Sequence, residues 1–160
     1  MTKILKPTEE NIKESAKLIL NDEVVAIPTE TVYGLGANGL SEIAVSKIFK
    51  AKNRPQDNPL ILHISSYEMM ESLVYGLNDE IKEFLNNFWA GPLTVIMKKK
   101  EIIPNGVSCG LDTVAIRMPS NEIARSLIEE CGVPIAAPSA NISGKPSPTT
   151  AEDVFVDMDG

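Results

Sequence analysis

The chain has 160 residues, of which 43% are hydrophobic and 23% charged, and its formal net charge is −7. This length suits one domain with a hydrophobic core, and no apolar run approaches the ~20 residues that span a membrane. Two cysteines outside any CxxC pair and a single histidine, His63, exclude a Cys/His zinc cluster. The acidic balance argues against a protein that lives on nucleic-acid backbone. Because Met1-Thr2-Lys3 does not begin a signal-peptide pattern, we expect a cytoplasmic location.

The first half of the chain is predicted to alternate helices with strands. Thr8 is placed to cap a helix whose apolar residues, such as Ile12, recur with the 3.6-residue period. The run Val24–Ile27 is typical of a buried strand, and a polar, glycine-containing loop is expected over 29–40. After it we predict a helix that is capped by Ser41 and ends near Ala51, and a strand over Leu60–Ile64.

The second half repeats this alternation. A helical region is expected from Ser66, and its clearest part has apolar residues from Ile81 to Trp89 at helical spacing. The remaining predictions are an N-cap at Asn78, a stop at Gly91-Pro92, strands over Leu93–Met97 and Thr113–Arg117, a helix capped by Ser120 and ended by Gly132, a strand over Pro134–Ala137, and a last helix capped by Thr150.

These elements predict a single α/β domain over residues 1–160. Most of the strands are continuous apolar runs, which are typical of a sheet covered on both faces. No helix separates Leu93–Met97 from Thr113–Arg117, so part of the sheet is expected to be antiparallel. The expected fold is a twisted, mixed parallel/antiparallel sheet with helices on both faces.

Gly34-Leu35-Gly36-Ala37-Asn38-Gly39 matches the GxGxxG pattern of dinucleotide-binding proteins. In those proteins the glycines directly follow a strand and open a helix, whereas here Thr29–Tyr33 intervenes after the strand. The acid near the expected distance, Asp57, precedes a strand instead of closing one, and no GxxxxGK[ST] motif is present. We therefore interpret the glycines as part of a turn-forming loop.

Lys50, Lys52 and Arg54 form a short basic stretch. Cations at the end of a helix are favoured by the helix dipole, which accounts for Lys50. Arg54 lies beyond the helix in a loop that the prolines Pro55 and Pro59 make rigid, and a guanidinium in a rigid loop suits a phosphate because its planar fork binds two oxygens. An ordinary helix end and an anion site both remain open at this point.

Four other polar residues lie on or just beyond strands. His63 sits within an apolar strand, where a lone histidine is more often a satisfied core residue. Arg117 ends a buried strand and requires a partner; no acid nearby in sequence supplies one, and a ligand carboxylate could. Ser139 and Asn141 are either turn residues or groups that face a ligand. A Ser-His-Asp hydrolase fits poorly, because Ser139 lacks the GxSxG elbow.

Five segments, in this order along the chain, together resemble the YrdC family. They are Pro28-Thr29-Glu30-Thr31-Val32-Tyr33-Gly34-Leu35, Lys52-x-Arg54-Pro55 followed by Asn58-Pro59-Leu60, Gly91-Pro92-Leu93-Thr94, Val114-Ala115-Ile116-Arg117-Met118-Pro119, and Ser139-Ala140-Asn141-x-Ser143-Gly144. Each segment alone is a weak signal, but the ordered set is specific and covers nearly the whole chain.

The resemblance implies a twisted sheet that forms an electropositive cavity. It also implies an enzyme that makes threonylcarbamoyl-AMP and pyrophosphate from L-threonine, bicarbonate and ATP with Mg²⁺. A tRNA-modifying threonylcarbamoyl transferase would then use the product at position 37 of tRNA. A weak direct contact with tRNA is a further expectation, and no contact with a membrane is expected.

The resemblance also assigns roles to residues of this chain, and it assigns none to a metal ligand. Lys52 and Arg54 are expected to be catalytic by neutralising phosphates and developing charge. The residues expected to bind the nucleotide are Lys50, Arg54, Asn58, Thr113, Asn141 and Thr149. The residues expected to bind L-threonine are Thr31, His63, Arg117 and Ser139.

Two alternatives remain open from the sequence. One is a noncatalytic RNA-binding module, and the other is a YrdC-like domain that performs carbamoyl-adenylate chemistry on another substrate, as in hydrogenase maturation. The chain also departs from the family pattern because it ends at Gly160, where family members continue through further strands. We therefore expect the C-terminal part of the domain to be truncated.

Overall fold

The structure is a computed structural model that describes residues 1–160. Its elements are α1 (Glu9–Leu20), β1 (Val25–Ile27), β2 (Gly34–Asn38), α2 (Glu42–Lys52), β3 (Ile61–His63), α3 (Tyr67–Glu71), α4 (Asp79–Leu85), β4 (Thr94–Lys98), α5 (Asn105–Ser108), β5 (Thr113–Arg117), α6 (Glu122–Cys131), β6 (Ile135–Ala136) and α7 (Ala151–Met158). No helix has both the length and the apolar character needed to cross a membrane.

Most of the helix starts follow from a capping side chain. The predicted caps Thr8, Ser41, Asn78 and Thr150 are confirmed, because each side-chain oxygen accepts a hydrogen bond from a backbone N–H of the first helical turn. The predicted cap of α6 is wrong by one residue. Asn121 Oδ1 accepts the bonds from the first turn of α6, while Ser120 is engaged elsewhere, as described below.

The six strands form one sheet in the order β1-β2-β6-β3-β5-β4. Only β3 and β5 are parallel, and the other neighbours are antiparallel. The mixed sheet and the antiparallel pairing of β4 with β5 are therefore confirmed. The parallel pair is in register with His63 opposite Arg117, so these two side chains emerge at the same carboxyl end of the sheet.

The expected loop over 29–40 is wrong in its second half, which is strand β2. Glycines made this strand hard to predict, since they are depleted from strands. Close packing explains one of them: a Cβ on Gly36 would lie 3.0 Å from the Val25 carbonyl oxygen and 3.0 Å from Ile135 Cγ2. The GxGxxG pattern thus serves strand packing between β1 and β6.

One further boundary and one further helix differ from the prediction. Helix α4 ends at Leu85, four residues before Trp89. The residues that follow form turns, and in them the Trp89 indole N–H donates a hydrogen bond to the Leu93 carbonyl oxygen at 2.7 Å. The short helix α5 had no predicted counterpart.

Helices cover the two faces of the sheet to different extents. One face buries a large core against α2, α3 and α4, with Leu62 and Ile116 at its centre. On the other face, α1 and α6 pack over the half formed by β1 and β6, where Ile27 and Ile135 are buried. Alternation along the strands places Ile96 of β4 on this second face, and its side chain is 71% exposed. The half formed by β3, β5 and β4 is therefore open, and we call it the open face.

Candidate active site

The sequence-predicted residues gather at the two ends of the open face. At the amino ends of β3 and β5 lie Lys52, Arg54 and the loop after β6, because Ala137 N–H bonds to the Ile61 carbonyl at 3.3 Å. At the carboxyl ends lie His63 and Arg117. Ile61 pairs with Ala115 and His63 pairs with Arg117, so the two ends are two residues, or roughly 7 Å, apart along the strands at about 3.3 Å per residue.

Lys52 is the last residue of α2, and its side chain is directed into the protein. Only 2% of the residue is exposed, and Nζ donates to the carbonyl oxygens of Ser139 at 2.5 Å and Asn141 at 2.8 Å. Burial and the neighbouring Arg54 lower the pKa of Lys52 to about 8. The ammonium has no carboxylate partner, so one of its three N–H groups and its charge remain available to an anion.

Arg54 closes its own loop. Its Nε donates to the Asn58 carbonyl at 3.2 Å and its Nη2 to the Pro59 carbonyl at 2.9 Å. The guanidinium has no ion pair, and burial lowers its pKa. A half-buried, preoriented cation with free N–H groups and no acid beside it suits a phosphate.

The other residues expected to bind the nucleotide lie in different surroundings. Asn141 is buried, and its Nδ2 donates to the carbonyls of Ile142 and Lys145 at 2.9 and 3.0 Å, while its Oδ1 is buried without a partner. Thr113 begins β5 half-buried at the edge of the open face. The remaining three, Lys50, Asn58 and Thr149, are exposed.

His63 is buried but has unused hydrogen-bonding capacity. It is 2% exposed, and Nδ1 has no hydrogen-bond partner within the protein. Burial lowers its pKa to about 4, so the imidazole is neutral at pH 7. A buried, unpaired polar atom is rare in folded proteins; a ligand hydroxyl or amine would supply the missing partner.

Arg117 has an acidic partner that the sequence did not reveal. Its Nη2 forms an ion pair with Glu30 Oε1, its Nε donates to the Gly91 carbonyl at 3.3 Å, and its Nη1 donates to Thr31 Oγ1 at 3.4 Å. No acid near Arg117 in the sequence supplies this partner; the β1–β2 loop brings Glu30 to it from a distance of 87 residues in sequence.

Thr31 and Ser139 are the other two residues expected to bind L-threonine, and they lie at opposite ends of the open face. Thr31 contacts Arg117 and lies 3.0 Å from Thr29 Oγ1. Ser139 instead follows β6 and contacts Lys52 through its carbonyl oxygen. Tyr33 connects the two regions, since Ala140 N–H bonds to its carbonyl at 2.8 Å.

Two hollows on the surface lie away from these residues. One, of about 500 Å³, follows β4 and is lined mainly by polar and charged residues that include Lys98, Lys99 and Lys100. The other lies beside α7 and is lined by Asp153 and Asp157, among others. Neither of these two hollows is lined by the sequence-predicted site residues, so the electropositive cavity that the resemblance implies stays a prediction.

Comparison with known protein families shows which family the chain belongs to. The Sua5/YciO/YrdC family, described as "Telomere recombination", matches residues 17–160. The chain belongs to the Sua5/YciO/YrdC family. The resemblance inferred from the five ordered motifs is thereby confirmed.

Two family members have high sequence identity to the chain. The threonylcarbamoyl-AMP synthase of Pyrococcus abyssi (strain GE5 / Orsay) is 55% identical over 152 residues, which are 95% of this chain and 45% of that protein. The threonylcarbamoyl-AMP synthase of Bacillus subtilis (strain 168) is 50% identical over 161 residues, with coverage of 100% and 46%. The chain thus spans about half the length of these relatives.

Solved structures of family members share the fold. The crystal structure of P. abyssi Sua5 complexed with L-threonine superimposes with a TM-score of 0.90 at 52% identity, covering 97% of this chain and 45% of that one. Full-length HypF in its phosphate- and nucleotide-bound form superimposes with a TM-score of 0.80 at 26% identity, covering 91% of this chain and 23% of that one.

Proposed function

We propose that this Sua5/YciO/YrdC chain makes L-threonylcarbamoyl-AMP and pyrophosphate from L-threonine, bicarbonate and ATP. The observation that carries the proposal is the pairing of two unlike half-sites along one open face. Two cations without an acid partner, Lys52 and Arg54, stand at one end, and Arg117 with a neutral His63 whose Nδ1 has no partner stands at the other. The names of the two relatives at 55% and 50% identity support the same reaction.

The proposed reaction has two steps. The amine nitrogen of L-threonine bonds to the carbon of bicarbonate, and water leaves to give a carbamate. A carbamate oxygen then bonds to the α-phosphorus of ATP while the bond from that phosphorus to the bridging β-phosphate oxygen breaks, and pyrophosphate leaves. Charge builds on the phosphate oxygens, so fixed cations contribute most to catalysis.

Lys52 and Arg54 would supply those cations. Both are held by backbone carbonyls rather than by acids, so neither charge is neutralised before the nucleotide arrives. Asn141 Oδ1 offers a buried acceptor beside them. Lys50, Asn58, Thr113 and Thr149 complete the proposed nucleotide site.

Arg117, His63 and Thr31 would bind L-threonine at the other end. The guanidinium suits the carboxylate, and the neutral imidazole suits a hydroxyl or an amine. Ser139 would act from its position beside Lys52. A site whose buried polar atoms need a hydroxyl rejects analogues that lack it strongly, so we expect serine to bind better than 2-aminobutyrate.

Magnesium is proposed to arrive with the nucleotide. No group of three or more His, Cys, Asp or Glu side chains stands close enough to hold a metal ion. The one carboxylate near Arg117, that of Glu30, is already engaged. The residues of the site are therefore consistent with Mg²⁺ that is held mainly by the phosphate oxygens of the nucleotide.

The proposed product is the substrate of a second enzyme. A tRNA-modifying threonylcarbamoyl transferase would consume it at adenosine 37, and because ATP and tRNA are the substrates of this route we place the chain in the cytoplasm. Direct contact of the chain with tRNA is expected to be weak, since the chain carries a net charge of −7.

The direct test is pyrophosphate release from ATP in bicarbonate buffer, with and without L-threonine. The proposal requires release that depends on L-threonine and falls strongly in Arg54→Ala and His63→Ala. If both variants retain full activity, the residue roles are wrong.

One competing function has an observation in its favour. The similarity to HypF is compatible with carbamoyl-adenylate chemistry on a substrate other than L-threonine. Pyrophosphate release that requires carbamoyl phosphate and ignores L-threonine would support that alternative. A noncatalytic RNA-binding module would show salt-sensitive RNA binding and no affinity for ATP.

A further inference from the structure

Glu30 connects three separate parts of the candidate site. It lies in the β1–β2 loop, and its Oε1 forms an ion pair with Arg117 Nη2 at the end of β5. Its Oε2 accepts hydrogen bonds at the start of α6 from Ser120 N–H at 2.6 Å, Ser120 Oγ–H at 2.9 Å and Asn121 N–H at 3.2 Å. One carboxylate thus joins a loop, a strand end and a helix start.

This network fixes the direction of the Arg117 guanidinium. The Gly91 carbonyl accepts a hydrogen bond from Nε, and Thr31 Oγ1 accepts one from Nη1. Glu30 forms its ion pair with Nη2. Each terminal nitrogen carries two N–H groups, so one on each remains. Two N–H groups on neighbouring nitrogens are what a carboxylate needs for a two-pronged contact.

The same network holds the loop against the site. Thr31 is the next residue in the chain after Glu30, and it contacts Arg117 directly. The loop residues have no other side-chain bond to the carboxyl end of the sheet than those made through Glu30 and Thr31. Releasing Glu30 would therefore leave the guanidinium with only its contacts to Gly91 at 3.3 Å and Thr31 at 3.4 Å, and would leave the loop with only the contact of Thr31.

We propose that Glu30 is a positioning residue that orients Arg117 and the β1–β2 loop for the carboxylate of the amino-acid substrate. The inference rests on the proposed function, since it assigns Arg117 to that carboxylate. It concerns only the end of the open face at which His63 and Arg117 lie. The nucleotide end, where Lys52 and Arg54 are held by carbonyls of other segments, is expected to be independent of Glu30.

The test is calorimetric titration of Glu30→Gln with L-threonine and, separately, with ATP. Glutamine keeps the shape but has one acceptor oxygen, so it satisfies either Arg117 or the α6 donors and not both. We expect the Kd for L-threonine to rise about tenfold, equivalent to about 1.4 kcal/mol, while the Kd for ATP changes less than threefold. Glu23→Gln is the matched control, because it removes the same charge from an exposed ion pair with Lys47.

A second variant covers the case in which Glu30→Gln does not fold. Ser120→Ala removes one of the three donors to Glu30 and leaves the backbone donors, so a smaller rise of about two- to fivefold in the L-threonine Kd is expected. Unchanged L-threonine affinity in the folded variants overturns the inference, as does an equal loss for both ligands. A wild-type chain that binds neither ligand refutes the proposed function instead.

Discussion

Replacement of Lys52 by methionine separates the function of its charge from its role in the fold. Methionine keeps the unbranched length of the side chain and removes the ammonium that bonds to the carbonyls of Ser139 and Asn141. The matched control is Lys47→Met on the same helix, because Lys47 makes only an exposed ion pair with Glu23.

The loss of affinity can be worked from the type of contact removed. A hydrogen bond that involves a charged group contributes about 1.5–3 kcal/mol. If Lys52 contacts a phosphate, Lys52→Met should weaken ATP binding by about ten- to hundredfold. Lys47→Met should bind ATP as the wild type does.

The effect of Lys52→Met on stability at pH 7 is the sum of two opposing contributions. The variant leaves two carbonyls without their partner, at a cost of about 1–3 kcal/mol each. It also removes a buried cation whose pKa is lowered from 10.5 to about 8, which returns up to about 3 kcal/mol. The two contributions offset each other, so the free energy of unfolding should change by less than about 3 kcal/mol.

The pH dependence gives a sharper version of this prediction. In the wild type Lys52 loses its proton near pH 8 when folded and near 10.5 when unfolded, so between these values the unfolded state binds more protons and stability rises with pH. ATP affinity should fall about tenfold from pH 7 to pH 9, because the charge is lost. Calorimetry and urea denaturation at both pH values measure the two trends. Wild-type ATP affinity in Lys52→Met, or parallel trends in affinity and stability, would refute the reasoning.

Three further predictions concern other positions. Arg54→Ala should weaken ATP binding about ten- to hundredfold and leave L-threonine binding unchanged, as measured by calorimetry, since its guanidinium stands at the nucleotide end. Burial holds the pKa of folded His63 at about 4, below its unfolded value of 6.5. The free energy of unfolding of the wild type should therefore fall by up to about 3 kcal/mol as the pH drops from 6.5 to 4. Urea denaturation of His63→Phe should show a smaller fall. Gly39→Ala should destabilise the chain by about 1–3 kcal/mol in thermal denaturation, because the new Cβ would lie 2.6 Å from Leu62 Cδ2 and 2.9 Å from the Pro134 carbonyl oxygen; unchanged melting would contradict the close packing of β2.

Local signals in the sequence predicted much of this fold. The caps at Thr8, Ser41, Asn78 and Thr150 could be predicted because each is a short polar residue directly before an apolar 3.6-residue pattern. The bounds of β5 were also predicted correctly, since Thr113–Arg117 is a β-branched run between turns. These features depend on a few neighbouring residues.

The features that were missed depend on residues far apart in the chain. Strand β2 is stabilised by pairing with β1 and β6, so its glycines gave no local strand signal. Ser120 was predicted as the cap of α6, but its backbone N–H and its hydroxyl both donate to Glu30, which lies 90 residues away in sequence. The same contact explains why no acid was found for Arg117, whose partner is brought to it by the tertiary fold.

The candidate site shows the same division. The motifs could be assigned to ligands by resemblance, but only the fold assigns them to ends of a sheet. His63 and Arg117 are adjacent because β3 and β5 are parallel, and Ser139 stands beside Lys52 because β6 runs antiparallel to β3. A signal for Glu30 was present in its motif, although nothing in the sequence indicated its partner.

The central claim is that one open face holds a nucleotide and a small zwitterionic amino acid side by side. Calorimetric titration of ATP, first alone and then at saturating L-threonine, both without added bicarbonate so that the proposed reaction does not proceed, tests it most directly. The account predicts that L-threonine tightens ATP binding and that ATP tightens L-threonine binding by the same factor. Independent binding of the two ligands, or binding of only one of them, would contradict it.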